Sequence, residues 1–462
     1  MPLIQTRWKR SLWPAVLILF VVFLMVCENL YHFTNLFEEG IMRISKRTSS
    51  DVEAGNLLEK VSQNFAKIKR KNGIIESEVF SRRDEDGGRP RATMLAVIRK
   101  RADALLLLET VKNYQDRFNN KYNYDWTIVS YRGYYIDDFE AILALTNAPT
   151  NVRIINLRYG SEFLTYRQGI DVAKIRQYKK TLNISRHLRD QVTTASKHFT
   201  RFLLGHFYNL ESLWSMYDYY WKVPVGSRLD CDVGYDVFQY MKDENLEYGW
   251  LILQMDPPKY HPSLLLNVKD YIYDPNNNFM EKSTQTANNF QFLLDDSVAD
   301  SISSDNEVEW KYKSCSINSE FEIVNVKFFR SKQYQHFFNF IDHINGIYYE
   351  NWREPAIKTI AVSVFLESKS VKFFDDLAVL IPALGIGNCP SNVDVYLKNK
   401  CVCNPLSHDV PYKYGNVKMK YEQLSRSKCF THYISSLELD IPESLQTSER
   451  GQEMFSAFEV SS

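Results

Sequence analysis

Glu322 stands inside an apolar run, residues 321–329, where a carboxylate is costly to bury unless something opposite stabilises it. Such a group can face positive charge that develops during a reaction, or it can be a strand-edge carboxylate turned to water. Asp230 and Asp232 flank Cys231. Two carboxylates at that spacing on a strand can face one cation, and the plainer alternative is a solvated turn beside a disulfide. Arg201 has the fork of donors that grips a diphosphate, or equally makes a helix-surface ion pair. His198 is either a proton carrier or, more commonly for the residue type, a satisfied structural histidine.

These residues need elements to hold them. Ala92–Ile98 is a short apolar run suited to a buried parallel strand, and residues 102–118 follow with Leu105, Leu106, Leu108, Val111 and Tyr114 at helical spacing. Strands are expected at Asp125–Tyr131 and Val152–Leu157, with a helix over 136–148 between them. Later strands are expected at Tyr219–Val223, 248–254 and 321–329, and a long helical stretch at 332–365. Alternation of this kind predicts an α/β fold, a mainly parallel sheet flanked by helices. Ligands of such sheets sit beyond the carboxyl ends of the strands, so the loops after Ile98, Tyr131, Val223, Gln254 and Phe329 are where chemistry belongs. No GxGxxG, Walker loop, HExxH or GxSxG occurs there, which argues against classical dehydrogenases, P-loop enzymes, zincins and serine hydrolases.

The chain has 462 residues, 45% of them hydrophobic, enough to bury a substantial core and to exclude disorder as its main state. Lys and Arg total 56, as do Asp and Glu, so there is no basic field and no nucleic-acid partner is expected. Arg7, Lys9 and Arg10 precede an unbroken apolar run, 12–27, which is followed by no small-x-small cleavage site. It reads as an uncleaved signal anchor suited to a thin membrane, with residues 1–11 cytoplasmic and the rest lumenal: a single-pass type II protein. Residues 28–91 are polar and charged, a lumenal stem with room for a helix near 57–69; a folded domain occupies 92–435, and 436–462 is a polar tail. Six cysteines lie beyond the anchor: Cys231, Cys315, Cys389, Cys401, Cys403 and Cys429. An even lumenal count permits three disulfides in any of 15 connectivities. Asn183-Ile184-Ser185 is a glycosylation sequon.

Several segments resemble the fungal Golgi α-1,2-mannosyltransferases of glycosyltransferase family 15. Asp116 through Trp126, DRFNNKYNYDW, is similar to the family's DRFNxKFNYDW. His198 with Arg201-Phe202 resembles YRHMCRF, and Tyr219 through Val223 with Cys231-Asp232 and Tyr235 through Phe238 resembles YYWRVEPxxxxxCDxxYDxF. Ser319 through Ile323 resembles SNFEI, Tyr348 through Trp352 FFYERW, Phe373 through Asp376 HFFDDI, and Asn388-Cys389-Pro390 a terminal xCP. Ala92 through Arg99 looks like the family's opening strand and its arginine. The matches run in order from about Ala92 to Cys403.

The resemblance implies a GT-A-like mixed α/β domain in the Golgi lumen that takes GDP-mannose as donor and mannosylated glycoproteins as acceptors, with sister mannosyltransferases as further partners. It implies Glu322 as the nucleophile or stabilising carboxylate, with His198 beside the reaction and Arg99 and Arg201 as donor-binding groups. It also implies Mn²⁺, yet the family's metal-binding Glu aligns with Pro224 in Pro224-Val225-Gly226, and its metal-binding His with Lys358. Ser196 replaces the tyrosine of YRHMCRF. Two routes remain open: relocation of the metal to Asp230 and Asp232, or neutralisation of the diphosphate by the Lys358 ammonium. Beside mannose transfer stand two alternatives, a non-catalytic regulatory relative and a mannosylphosphate transferase.

Overall fold

The computed structural model describes residues 68–71, 74–77, 88–99, 101–131, 151–157, 162–181, 193–256, 260–278, 292–294, 312–384, 386–390, 393–403, 411–414, 417–420, 422–423, 429–430 and 432–433. All lie within one compact unit, Ile68–Ser462. The anchor 12–27, the helix expected over 136–148, the sequon Asn183 and the tail 436–462 fall outside the described residues. Among the described residues no helix is long and apolar enough to cross a membrane.

In chain order the site-building elements are β1 (Ala92–Ile98), α1 (Arg101–Tyr114), β2 (Asp125–Tyr131), β3 (Val152–Leu157), α2 (Thr194–Leu204), β4 (Tyr219–Val223), β5 (Tyr248–Trp250), β6 (Leu253–Met255), β7 (Cys315–Ile317), β8 (Glu322–Asn325), α3 (Lys332–Ile344), α4 (Glu354–Phe365) and β9 (Val371–Phe373). Seven strands form the main sheet in the order β9-β5-β8-β4-β1-β2-β3. Neighbours run parallel except at β8, which is antiparallel to both β4 and β5. The sheet is therefore mixed and mainly parallel, as expected. Because β8 is reversed, its first residue lies level with the carboxyl ends of β4 and β5: Glu322 pairs in register with Lys222 on one side and Trp250 on the other. That is the edge where open α/β sheets place ligands.

The strands β1 and β3 are buried along their whole length, the pattern of a sheet covered on both faces. Large aromatics fill the interior, among them Trp126, Trp221, Trp250, Tyr208, Tyr220 and Tyr248, each below 2% exposure. Trp221, on the face of β4 opposite Lys222, packs edge-on against Tyr114, Phe118 and Phe321 at centroid distances of 5.7, 5.1 and 5.7 Å.

Local chemistry reshapes several expected elements. The strand expected over 321–329 stops at Asn325, whose side chain accepts from the Lys327 amide and so caps the helix Val326–Arg330. The helical stretch over 332–365 is three helices: Asn345 takes a left-handed conformation (φ 61°) that ends α3, a short turn Gly346–Tyr349 follows, and Pro355 in the first turn starts α4. The strand expected over 248–254 breaks at Leu251-Ile252, and its second part, β6, pairs with β7 in a separate two-stranded sheet. The helix of 102–118 ends at Tyr114 and continues as a π-turn, Gln115–Asn119. Within the expected stem, Ile68–Lys71 and Ile74–Ser77 form an antiparallel hairpin, so a strand begins where the last residues of the 57–69 helix were expected.

The cysteines resolve into three disulfides: Cys231–Cys401, Cys315–Cys429 and Cys389–Cys403. Two of them brace a small four-stranded sheet that includes Arg228–Leu229, Val379–Ile381 and Ile386–Gly387. Cys231, Cys401 and Cys403 come close enough together to hold a metal ion, but their sulfurs are spent in disulfides.

Candidate active site

Alternation along β4 and β8 puts Tyr220, Lys222, Glu322 and Val324 on one face of the sheet, and α4 lies across that face. Glu322 is 1% exposed and held by three donors. Its Oε1 accepts from the Tyr220 hydroxyl at 2.9 Å and the Lys358 ammonium at 2.7 Å, and its Oε2 from the Tyr248 hydroxyl at 2.9 Å. Burial and the nearby carboxylate push both phenols well up, so they remain protonated donors. Tyr208 continues the network through its hydroxyl, 3.0 Å from that of Tyr220.

Lys358 also lies 3.0 Å from Glu354, one turn earlier on α4, and Glu354 takes the Lys222 ammonium at 2.9 Å on the same oxygen. The other oxygen of Glu354 faces the Arg99 guanidinium at 3.8 Å, and Arg99 in turn donates to Glu320. Burial alone would raise the Glu354 carboxyl, but Lys222, Lys358 and Arg99 outweigh it and hold it far below the ordinary range. Burial would likewise lower Lys358; Glu322, followed by Tyr208 and Glu354, outweighs it and keeps the ammonium charged. Three cations thus face three carboxylates. Only Arg99 and Glu320 reach solvent appreciably, with side chains 40% and 29% exposed; the other members are 6% exposed or less.

The structure brings Glu322 and Lys358 into direct contact and sets Arg99 at the open end of the same network. Lys358 is not presented to solvent for a diphosphate, because Glu322 and Glu354 already bracket it. Arg201 is committed to Asp342 by two hydrogen bonds, 2.7 and 2.9 Å, tying α2 to α3. His198 Nδ1 sits 2.8 Å from the Tyr348 hydroxyl, and burial, aided by Arg201, lowers its pKa to about 4, so the ring is neutral near pH 7. Asp230 is buried beside Arg228 at 2.7 Å, with burial raising its carboxyl, whereas Asp232 is half-exposed and paired with Arg117 at 2.7 Å. The two aspartates are therefore spoken for by different arginines, and they belong to the disulfide-braced sheet rather than to the Glu322 network.

Lys222, Glu320 and Glu354 went unrecognised in the sequence. A signal was present: Lys222 is the one charged residue of the strand YYWKV, on the face shared with Tyr220, and Glu354 precedes Lys358 by one helical turn.

Among the described residues, those gathered around Glu322 do not fit a divalent cation. Beyond β4, Pro224 through Ser227 form a tight turn closed by a 2.9 Å hydrogen bond from Ser227 N to Pro224 O, with Gly226 at φ 85°, and this turn offers no carboxylate. The carboxylates that do gather here each face a protein cation.

The sequence pattern of the family described as glycolipid 2-alpha-mannosyltransferase matches residues 45–426. The chain is 30% identical over 315 residues to the probable mannosyltransferase MNT3 of Candida albicans, covering 68% of this chain and 75% of that protein. It is 29% identical to the alpha-1,2 mannosyltransferase KTR1 of Saccharomyces cerevisiae, covering 69% and 75%. In fold it is similar to core-mannan synthase A of Aspergillus fumigatus in its Mn/GDP form, with a TM-score of 0.60 at 23% identity over 77% of this chain and 87% of that one. It is equally similar to Ktr4p of S. cerevisiae in complex with GDP, with a TM-score of 0.60 at 20% identity over 87% and 93%.

Proposed function

From the premise that this chain belongs to the glycolipid 2-alpha-mannosyltransferase family, we propose that it transfers mannose from GDP-mannose to mannose-containing N- or O-linked glycans. In such a transfer the bond from the mannose anomeric carbon to the β-phosphate breaks, a bond to an acceptor hydroxyl oxygen forms, and the acceptor proton leaves with the departing diphosphate. The single observation that carries the reading is Glu322: a buried carboxylate at the carboxyl edge of the sheet, held by hydrogen bonds from an ammonium and two phenols. A fixed negative charge there is what an oxocarbenium-like sugar requires, and pre-organised donors spare the reorganisation that water would need. Arg99, at the solvent end of the same network, is the donor-binding group.

The relatives solved with GDP support a nucleotide-sugar donor, and the three disulfides support an oxidising lumen. We place the protein in the Golgi membrane, single-pass and type II, held by residues 12–27 with the catalytic domain lumenal. The test is incorporation of labelled mannose from GDP-mannose into α-mannosides by the full-length protein in detergent. Mannosidase-sensitive product is expected. A phosphate-bearing product would instead identify a mannosylphosphate transferase.

One observation favours a second reading, a donor-binding relative that regulates other transferases: Glu322 is neutralised by Lys358 at 2.7 Å. Under that reading, Glu322→Gln fully complements a deletion strain.

A further inference from the structure

Each carboxylate around Glu322 is paired with a protein cation. Glu322 Oε1 has Tyr220 and Lys358, and Oε2 has Tyr248; Glu354 Oε1 has Lys222 and Lys358, and Oε2 has Arg99; Glu320 has Arg99. A divalent cation needs carboxylate oxygens with open lone pairs and no ammonium already seated between them. Here the ammonium of Lys358 lies within 3.0 Å of both Glu322 and Glu354, in the position where a bridging ion would have to go. The turn after β4 contributes Pro224, Val225, Gly226 and Ser227, with no carboxylate or imidazole to extend the set, and the Ser227 hydroxyl lies 3.0 Å from that of Tyr114. Charge sums to zero across Arg99, Lys222, Lys358, Glu320, Glu322 and Glu354, so these side chains carry no net negative charge to draw in a divalent cation.

We propose that this chain binds its nucleoside diphosphate donor without a divalent cation, the buried Lys358 ammonium standing between Glu322 and Glu354 in place of a metal. The inference deepens the mannosyltransferase reading and rests on it. Lys358 is then a positioning residue: it aligns the Glu322 carboxylate and does not itself touch the donor. The donor's diphosphate meets the solvent-reaching Arg99 at the rim.

The experiment is calorimetric titration of the full-length protein in detergent with GDP, first in EDTA and then in Mn²⁺, with paramagnetic resonance of free Mn²⁺ recording uptake of the ion alone. Equal GDP affinity in the two buffers, within about twofold, and no stoichiometric Mn²⁺ uptake are expected. GDP binding that tightens tenfold or more with Mn²⁺ overturns the inference while leaving the mannosyltransferase reading intact. No GDP binding in either buffer overturns that reading, and the inference with it. A second arm uses Lys358→Gln, which vacates the place between the two carboxylates: Mn²⁺ uptake is expected to appear in this variant and not in the wild type. A folded Lys358→Gln protein that still takes up no Mn²⁺ overturns the role given to the ammonium.

Discussion

His198 and Glu354 set how individual residues respond to acid. An unfolded histidine titrates near 6.5, whereas the buried ring of His198 titrates at about 4. Between those values the unfolded chain binds the extra proton, so stability rises with pH through this window and is lost as pH falls through it. His198 is expected to contribute on the order of 1 kcal/mol of destabilisation between pH 7 and pH 5. Glu354, depressed by Lys222, Lys358 and Arg99, adds a further loss below the ordinary glutamate range, with the same sign. Urea unfolding at the two pH values checks the first effect: His198→Gln is expected to flatten the slope, and an unchanged slope would assign it elsewhere. Glu322 was legible at this scale because an acid in an apolar strand is conspicuous. Its partners were not, since a lysine in YYWKV reads equally well as an outward-facing residue until the register opposite β8 is known. Lys358 was legible as an unusual residue; that two carboxylates hold it inside is a property of α4 lying across the sheet.

At the scale of elements, apolar runs gave the parallel strands with the right bounds, because β1, β2, β3 and β4 are buried along continuous stretches. Where elements ended, the decisive signals were single asparagines, Asn325 as a cap and Asn345 in a left-handed turn, which hydrophobic periodicity does not register. The antiparallel insertion of β8 was also hidden, since strand direction is set by connections and not by composition. Packing at this level is tight enough to test. A Cβ added at Gly249, opposite Ile323, would come within 2.3 Å of the Phe374 ring. Gly249→Ala is expected to cost about 1–3 kcal/mol by overpacking between β5 and the segment after β9, read as a lower midpoint in denaturant. A neutral substitution would mean that the Phe374 ring moves aside freely.

For the whole molecule, the even number of cysteines beyond residues 12–27 announced disulfides, and only three-dimensional proximity chose the pairs. Cys315–Cys429 spans 114 residues and fastens β7 to the segment that carries Phe430 and Tyr433. Tyr433 packs edge-on against Trp250 at 4.9 Å, and Trp250 is the register neighbour of Glu322, so this staple buttresses the sheet edge from outside. Replacing both cysteines by serine is expected to cost about 2–5 kcal/mol, visible as a lowered melting temperature, with no change predicted if the bridge were ornamental.

Glu322 is tested most directly by single-turnover mannose transfer and GDP-mannose affinity, measured side by side for the wild type and Glu322→Gln. Glutamine keeps the shape but lacks the charge, and its one acceptor oxygen can serve either Tyr220 with Lys358 or Tyr248, not both sides as the carboxylate does. The account predicts a transfer rate lowered by about 10²–10³-fold with donor affinity nearly unchanged, the signature of charge stabilisation lost in the transition state. Transfer at the wild-type rate by a folded Glu322→Gln protein would contradict it.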